Sequence, residues 1–376
     1  MKQKRILIVA NTTWNIYKFR LNVIQLFREK DDQVFVASPI DEFISYKEEF
    51  PSVIHIDLKR LKRDHTHPIN DLLSIFELKK IYKSVSPDVI IHYTHKANIY
   101  GGIAAWMAHK KSIAVVTGLG YAFLHKGLIN RITKLLYKMT KGIHQKIIFE
   151  NEDDMNFFID SKLVQKERAG FVNGCGIDVD DYKPVPKKSD YPKRRFTFIG
   201  RLLKDKGINE FLQASAILMK TSNGLEFRII GEFDEGNPSM VDKSLLFDYI
   251  NKGIVQYSGF VNDIKPQIAK SDCIVLPSYR EGMPRVILEA LAMAKPVVTT
   301  DVAGCRQTVE HGINGYLVKD RDVQSLVHGI RQIMALNEKQ LLKMGQKWRE
   351  MAIKHFNSKK ISMELYEIVS QVYFCA

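Results

Sequence analysis

Residues 271–301 read SDCIVLPSYREGMPRVILEALAMAKPVVTTD. The apolar run from Cys273 to Leu276 suits a buried parallel strand, and Pro277 closes it. Residues 279–284 form a loop by their Gly282 and Pro284. RVILEALAMA (285–294) is a strong helix former, with Pro284 placed for its first turn. PVVTTD (296–301) then returns as a strand. A strand–helix–strand unit of this kind belongs to a parallel sheet flanked by helices. Its loop falls at the C-terminal edge of the sheet, where open α/β folds bind ligands. There the amides of Gly282 and Met283, at a helix N-terminus, favour an anion. Glu281 sits in the loop and Glu289 lies just over two helical turns further on, roughly on the same face. Two carboxylates beside an anion-binding helix end suit the hydroxyl groups that flank a phosphate, as in a sugar nucleotide. Taken alone, the spacing is better met by charge stabilisation of a helix terminus and a solvated glutamate.

Working outward, the same alternation fills the chain. The first half carries apolar strands RILIVA, QVFVAS, VIHIDL, PDVIIHY, SIAVVTG and QKIIFE, separated by helical stretches. A second series follows: FTFIG, EFRIIGE, IVQYSGF, CIVLPS, PVVTTD and GYLVKD. Between them, residues 180–195 (DDYKPVPKKSDYPKRR) hold three prolines and six basic residues and read as a linker. Two α/β domains are expected, residues 1–183 and 184–353. The closing segment 354–376 has helical periodicity through Ile361, Leu365, Ile368 and Val369.

Upstream of the opening stretch, RRFTFIGRLLKDKGINEFL (194–212) runs from a strand ending at Gly200 into a basic turn with Arg201, Lys204 and Lys206. Cations at a second strand's C-terminal end can neutralise a leaving diphosphate. The pair of motifs, G-R-x-x-x-x-K-G and then E-G-x-P-x-x-x-x-E, resembles the retaining glycosyltransferases of family 4. The resemblance implies a GT-B fold, two Rossmann-like domains facing across a cleft, with the final helix returning to the first domain. It implies that Arg201 and Lys206 hold the donor diphosphate, that Glu281 binds donor-sugar hydroxyls and that Glu289 binds the ribose. Gly200, Gly282, Met283, Pro284, Phe260 and Val261 are assigned to the same donor pocket. Further stretches, IYKFR (16–20), HKANIYG (95–101), TGLGYAF (117–123) and GEFDEGNPS (231–239), resemble a bacterial branch of capsule, O-antigen and protein-glycosylation enzymes.

In the first domain, His95 follows the strand PDVIIHY. On its own it reads as a loop histidine satisfied by backbone; the resemblance makes it a residue that reaches across the cleft to the donor, with Lys96 beside it. Gly101 and Gly102 in the next helix imply close packing or close approach, since glycine there costs about 1 kcal/mol relative to alanine. The loop NTTWN (11–15) lacks the paired glycines common in the family, leaving Trp14 and Asn15 as candidates for sugar or acceptor contact.

The chain of 376 residues has a formal net charge of +14, which points to acidic partners. Residues 89–149 contain nine Lys or Arg and no Asp or Glu. Within them Leu128, Ile129, Ile132, Leu135, Leu136, Met139 and Ile143 form a helical stripe, read as core-packed, while Lys126, Arg131, Lys134, Lys138 and Lys141 occupy other faces. This basic segment fits an anionic membrane surface and a lipid diphosphate. No zinc spacing, RNP-type aromatic motif or basic arm supports nucleic acid as the partner. Cys175, Cys273, Cys305 and Cys375 are scattered and read as free thiols. The basic start precedes a first strand and not a signal peptide, and no apolar run spans a membrane, so a cytoplasmic, peripherally membrane-associated protein is expected. Neither a metal nor another cofactor is expected, because the cations can serve the leaving group. The combined reading is transfer of a hexose or N-acetylhexosamine (GalNAc, GlcNAc or Gal) from a UDP-sugar to a polyprenyl-diphosphate-linked saccharide. A UDP-N-acetylglucosamine 2-epimerase of the same fold and a basic nucleic-acid-binding protein are the alternatives.

Overall fold

The computed structural model describes residues 3–62, 68–124, 127–185 and 193–375. The chain divides into two compact units: Met1–Cys175 with Ser358–Ala376, and Gly176–Asn357. In the first unit the strands are β1 (Arg5–Val9), β2 (Gln33–Ser38), β3 (Ile54–Asp57), β4 (Val89–Tyr93), β5 (Ser112–Val116), β6 (Lys146–Phe149) and β7 (Ala169–Phe171). They form one seven-stranded sheet in the order β3-β2-β1-β4-β5-β6-β7, with every pairing parallel. Successive side chains of β1 go to opposite faces: Ile6 and Ile8 enter one core, Leu7 and Val9 the other. Both faces must therefore be covered by helices, which is why these strands read as unbroken apolar runs.

One of the covering helices comes from the far end of the chain. Ser358–Phe374 places Ile361, Leu365, Val369 and Val372 in the first unit's core, with Ile368 packed at its edge. Tyr366 accepts a 2.7 Å hydrogen bond from the Lys4 ammonium. The apolar spacing of this helix was legible in the sequence, and the helix does return to the first domain.

The second unit holds β8 (Arg194–Ile199), β9 (Leu225–Ile230), β10 (Gln256–Tyr257), β11 (Cys273–Leu276), β12 (Val297–Thr300) and β13 (Tyr316–Val318). Their order is β10-β9-β8-β11-β12-β13, again parallel throughout. The boundary between the units falls at Cys175/Gly176, earlier than the expected 183/184. Ile177 and Val179 are buried in the second unit's core, as is Phe356, so those flanks belong to it before the proline-rich stretch begins. Residues 186–192 of that stretch lie outside the described residues.

Strand order fixes where loops converge. In each sheet the chain direction of travel reverses once, between β1 and β4 in the first and between β8 and β11 in the second. Loops leaving the C-terminal ends of those neighbours diverge to opposite faces and leave a crevice. Asn15 follows β1 and His95 follows β4. The Arg201–Lys206 turn follows β8, and Glu281 follows β11.

Candidate functional site

The second unit's switch point is built by backbone contacts that leave little freedom. Gly207 has φ +74°, and a Cβ there would lie 2.0 Å from the Pro277 carbonyl oxygen, so only glycine lets the turn after Lys206 approach the end of β11. Asp205 O accepts from Tyr279 N at 2.9 Å and from Ser278 Oγ at 3.1 Å. Glu281 N donates to Ala303 O at 3.1 Å, and Thr300 Oγ1 donates to Ser278 O. The two loops thus fold as one body. Across it, Lys206 Nζ reaches Glu281 Oε1 at 2.5 Å, with both side chains mostly covered.

The other expected donor residues lie nearby in the fold but make separate arrangements. Arg201 Nη1 pairs with Asp234 Oδ2 at 2.6 Å, and Asn237 Nδ2 donates to the same oxygen at 2.8 Å. Glu289 is buried, accepting from Arg285 Nε at 3.0 Å and from the Tyr182 hydroxyl at 3.1 Å. Burial, and then the Glu289 charge, push the Tyr182 phenol well above its ordinary range, so it stays a donor. Met283 sends its side chain into the core, which leaves only its backbone for a ligand, and Pro284 is the N-cap of the Arg285–Ala292 helix. Gly200 and Gly259 bracket Gly231, whose missing side chain lets the ends of β8, β9 and β10 crowd together. Val261 and the exposed Phe260 follow directly from that edge.

Sequence reasoning passed over three members of this site. Asp234 lies in GEFDEGNPS, which carried a resemblance but no role. Tyr182 falls in the stretch read as linker. Arg285 stands four residues before Glu289, and that spacing alone could have announced the pair.

In the first unit the switch-point residues face inward. His95 Nδ1 is 2.7 Å from the Tyr137 hydroxyl, and burial holds its pKa below the ordinary histidine value. Lys96 forms a 2.9 Å ion pair with Asp71, which also accepts from Tyr100 at 3.2 Å. Asn15 is buried, with its Oδ1 3.5 Å from Arg20 Nε, while Trp14 stays at the surface. Arg20 forms a buried ion pair with Glu150 at 3.1 Å and lies 4.0 Å over the Tyr93 ring. Burial pushes the Glu150 carboxyl up, and the Arg20 guanidinium pulls it back. Gly101 and Gly102 have a packing reason: a Cβ would come within 2.5 Å of the His92 ring or 2.6 Å of the His144 ring.

The stripe read as core-packed is a correction. Leu128, Ile129, Ile132, Leu135 and Met139 are 73%, 59%, 46%, 57% and 67% exposed on the Leu128–Met139 helix. The face that packs inward is the one carrying Tyr137, whose ring meets Phe158 and Phe123. Lys126 lies outside the described residues.

Two parallel Rossmann-like sheets, each with one switch point in its strand order, define a GT-B architecture. Solved structures agree on the fold: HepE of Anabaena in complex with UDP-glucose superimposes with a TM-score of 0.80 at 20% identity, over 98% of this chain and 100% of that one. One family model, glycosyl transferase 4-like, matches residues 5–151, and a second, glycosyl transferases group 1, matches residues 193–335. Both models are of glycosyltransferases, and between them they span most of the chain. Among curated relatives, the N,N'-diacetylbacillosaminyl-diphospho-undecaprenol alpha-1,3-N-acetylgalactosaminyltransferase of Campylobacter jejuni is 28% identical over 346 residues, 88% of this chain and 89% of that protein. The UDP-Gal:alpha-D-GlcNAc-diphosphoundecaprenol alpha-1,3-galactosyltransferase of Escherichia coli is 26% identical over 304 residues, 77% of this chain and 76% of that protein.

Proposed function

We propose that this enzyme is a retaining glycosyltransferase that moves a hexose or N-acetylhexosamine from a UDP-sugar to a polyprenyl-diphosphate-linked saccharide. The observation that carries the reading is the Lys206–Glu281 pair at the second unit's switch point, joined across 75 residues of sequence. A mostly covered cation beside a carboxylate suits a ligand with a diphosphate next to a sugar. Lys206 and Arg201 take the diphosphate, exchanging their carboxylate partners for phosphate oxygens, with the amides of Gly282 and Met283 assisting. Glu281 then accepts from donor-sugar hydroxyls. Glu289, fixed by Arg285 and Tyr182, accepts from the ribose. His95 serves the donor, with Lys96 beside it.

In the reaction, an acceptor hydroxyl oxygen bonds to the anomeric carbon on the face from which UDP departs. The anomeric carbon–oxygen bond to UDP breaks, and the hydroxyl proton passes to the leaving diphosphate oxygen. Charge accumulates on that diphosphate, so the two cations act mainly in the transition state. No metal is required in this scheme. We read the enzyme as peripheral to the cytoplasmic face of an anionic membrane, without nucleic acid as a partner, and the two undecaprenol-linked relatives support the acceptor class.

The test is mass and linkage analysis of products from a panel of UDP-sugars and short-chain polyprenyl-diphosphate saccharides. One added sugar of unchanged anomeric configuration, with one UDP released, is the expected result. An inverted linkage would overturn retention. UDP release without acceptor, accompanied by an epimerised sugar, would point to the epimerase instead.

A further inference from the structure

The Leu128–Met139 helix is built in a way that a core helix is not. At about 100° per residue, Leu128, Ile132, Leu135 and Met139 fall within about 60° of one another, and Tyr137 falls about 180° from their centre. Tyr137 is buried and hydrogen-bonded to His95. The helix is therefore anchored by one face and presents four large apolar side chains directly away from its unit. Arg131 and Lys138 lie exposed along one flank of the stripe. Lys134, on the same flank, lies 5.4 Å over the Phe157 ring. No acidic residue occurs between 89 and 149 to oppose them.

A second stripe lies on the Pro68–Val85 helix, where Ile69, Leu72 and Phe76 are also exposed. The first turns of that helix are tied to the loop after β4 through Asp71, which holds Lys96 and Tyr100. His95 ties the Leu128–Met139 helix to the same loop. Both exposed apolar stripes thus flank one edge of the first unit, the C-terminal edge of its sheet.

We propose that this edge is a membrane-docking surface, on which the Leu128–Met139 helix lies in the headgroup plane of an anionic bilayer. Leu128, Ile132, Leu135 and Met139 enter the acyl boundary while the exposed Arg131 and Lys138 meet lipid phosphates. The choice of a bilayer over a protein rests on charge complementarity: an apolar stripe with a one-signed basic flank matches an anionic interface. It deepens the lipid-linked acceptor reading above, because it brings the switch-point loop holding His95 and Lys96 to headgroup level, where a polyprenyl diphosphate presents its charge.

The experiment is vesicle flotation of the full chain, with neither donor nor acceptor present. Vesicles of phosphatidylglycerol with phosphatidylcholine are compared with phosphatidylcholine alone, at low and high salt. Substituting Leu128→Gln, Ile132→Gln, Leu135→Gln and Met139→Gln together is expected to weaken partitioning about a hundredfold or more, at both salt concentrations. Substituting Arg131→Gln and Lys138→Gln should weaken it only where salt does not already screen the charges. The apolar variant should keep the wild-type melting temperature, since its altered groups point away from the core. Equal flotation of the wild type and the apolar variant overturns the proposal. So does a wild-type dimer that the apolar substitutions convert to monomer without changing flotation, which makes the face a contact between copies. Flotation is read without turnover, so its failure leaves the transferase reading standing, and a vesicle-bound but inactive enzyme would refute only the latter.

Discussion

The two units share a sheet architecture but differ in how deeply the charged pairs near their strand ends are buried. In the second, charged side chains stand at the rim in partly covered pairs, Lys206 with Glu281 and Arg201 with Asp234. In the first, Lys96 and Asp71 are covered to the same degree, but Arg20 after β1 and Glu150 after β6 are almost fully buried and neutralise each other, with Tyr93 stacked beneath. A rim pair can trade its partner for a ligand at little cost. A buried pair cannot, because each charge left behind would face an apolar interior. On the proposed reading, the comparison separates polar residues that would meet a ligand from those that hold the shape of nearby loops.

The largest effect should come from breaking the buried pair. Arg20→Met leaves Glu150 uncompensated and should cost about 3–5 kcal/mol of stability, read by denaturant unfolding of the whole chain. A change below about 1 kcal/mol would make Arg20–Glu150 a rim-like pair and erase the contrast. Next in size is Glu281→Ala, which should lower turnover by about two orders of magnitude or more while UDP still binds, because its partners belong to the sugar and its removal frees Lys206. Parallel loss of UDP affinity would place Glu281 on the nucleotide instead. Glu289→Ala should weaken UDP by about 1.5–3 kcal/mol through loss of a charge-assisted hydrogen bond. An unchanged calorimetric affinity would remove the ribose assignment.

The smallest effect concerns the buried histidines under the first sheet. His144 accepts from Ser112 and donates to Asn98 O, and burial lowers its pKa to about 4. Its folded pKa is below the unfolded value, so its neutral form stabilises the protein fully above the unfolded pKa. That stability is lost as pH falls from about 6.5 toward 4, at about 1 kcal/mol per pH unit. Unfolding midpoints measured from pH 7.5 to 5 should therefore slope downward, and His144→Gln should flatten the slope. An identical slope in the variant would assign the acid sensitivity elsewhere.

Much of the architecture could be read from apolar runs, because strands buried on both faces have no polar alternation to hide them. Ile361, Leu365 and Val369 announced a helix seeking a core. The stripe at 128–139 was misjudged for a related reason: periodicity reveals that a helix has an apolar face but not which way it points. Tyr137, on the opposite face, decided that. The domain boundary shifted because Ile177 and Val179 enter the second core ahead of the prolines. At the site, motif spacing located Lys206 and Glu281, whereas the Arg201–Asp234 pair depends on the end of β9 meeting the end of β8, which no local pattern encodes.

The account rests on Lys206 and Glu281 forming a nucleotide-sugar site, and calorimetric titration of UDP into wild type and Lys206→Ala tests it most directly. One UDP per chain should bind the wild type, and the variant should bind at least about tenfold more weakly, the loss of one charge-assisted phosphate contact. Equal affinities in the two proteins would contradict the assignment and leave the pair as a strut between two loops.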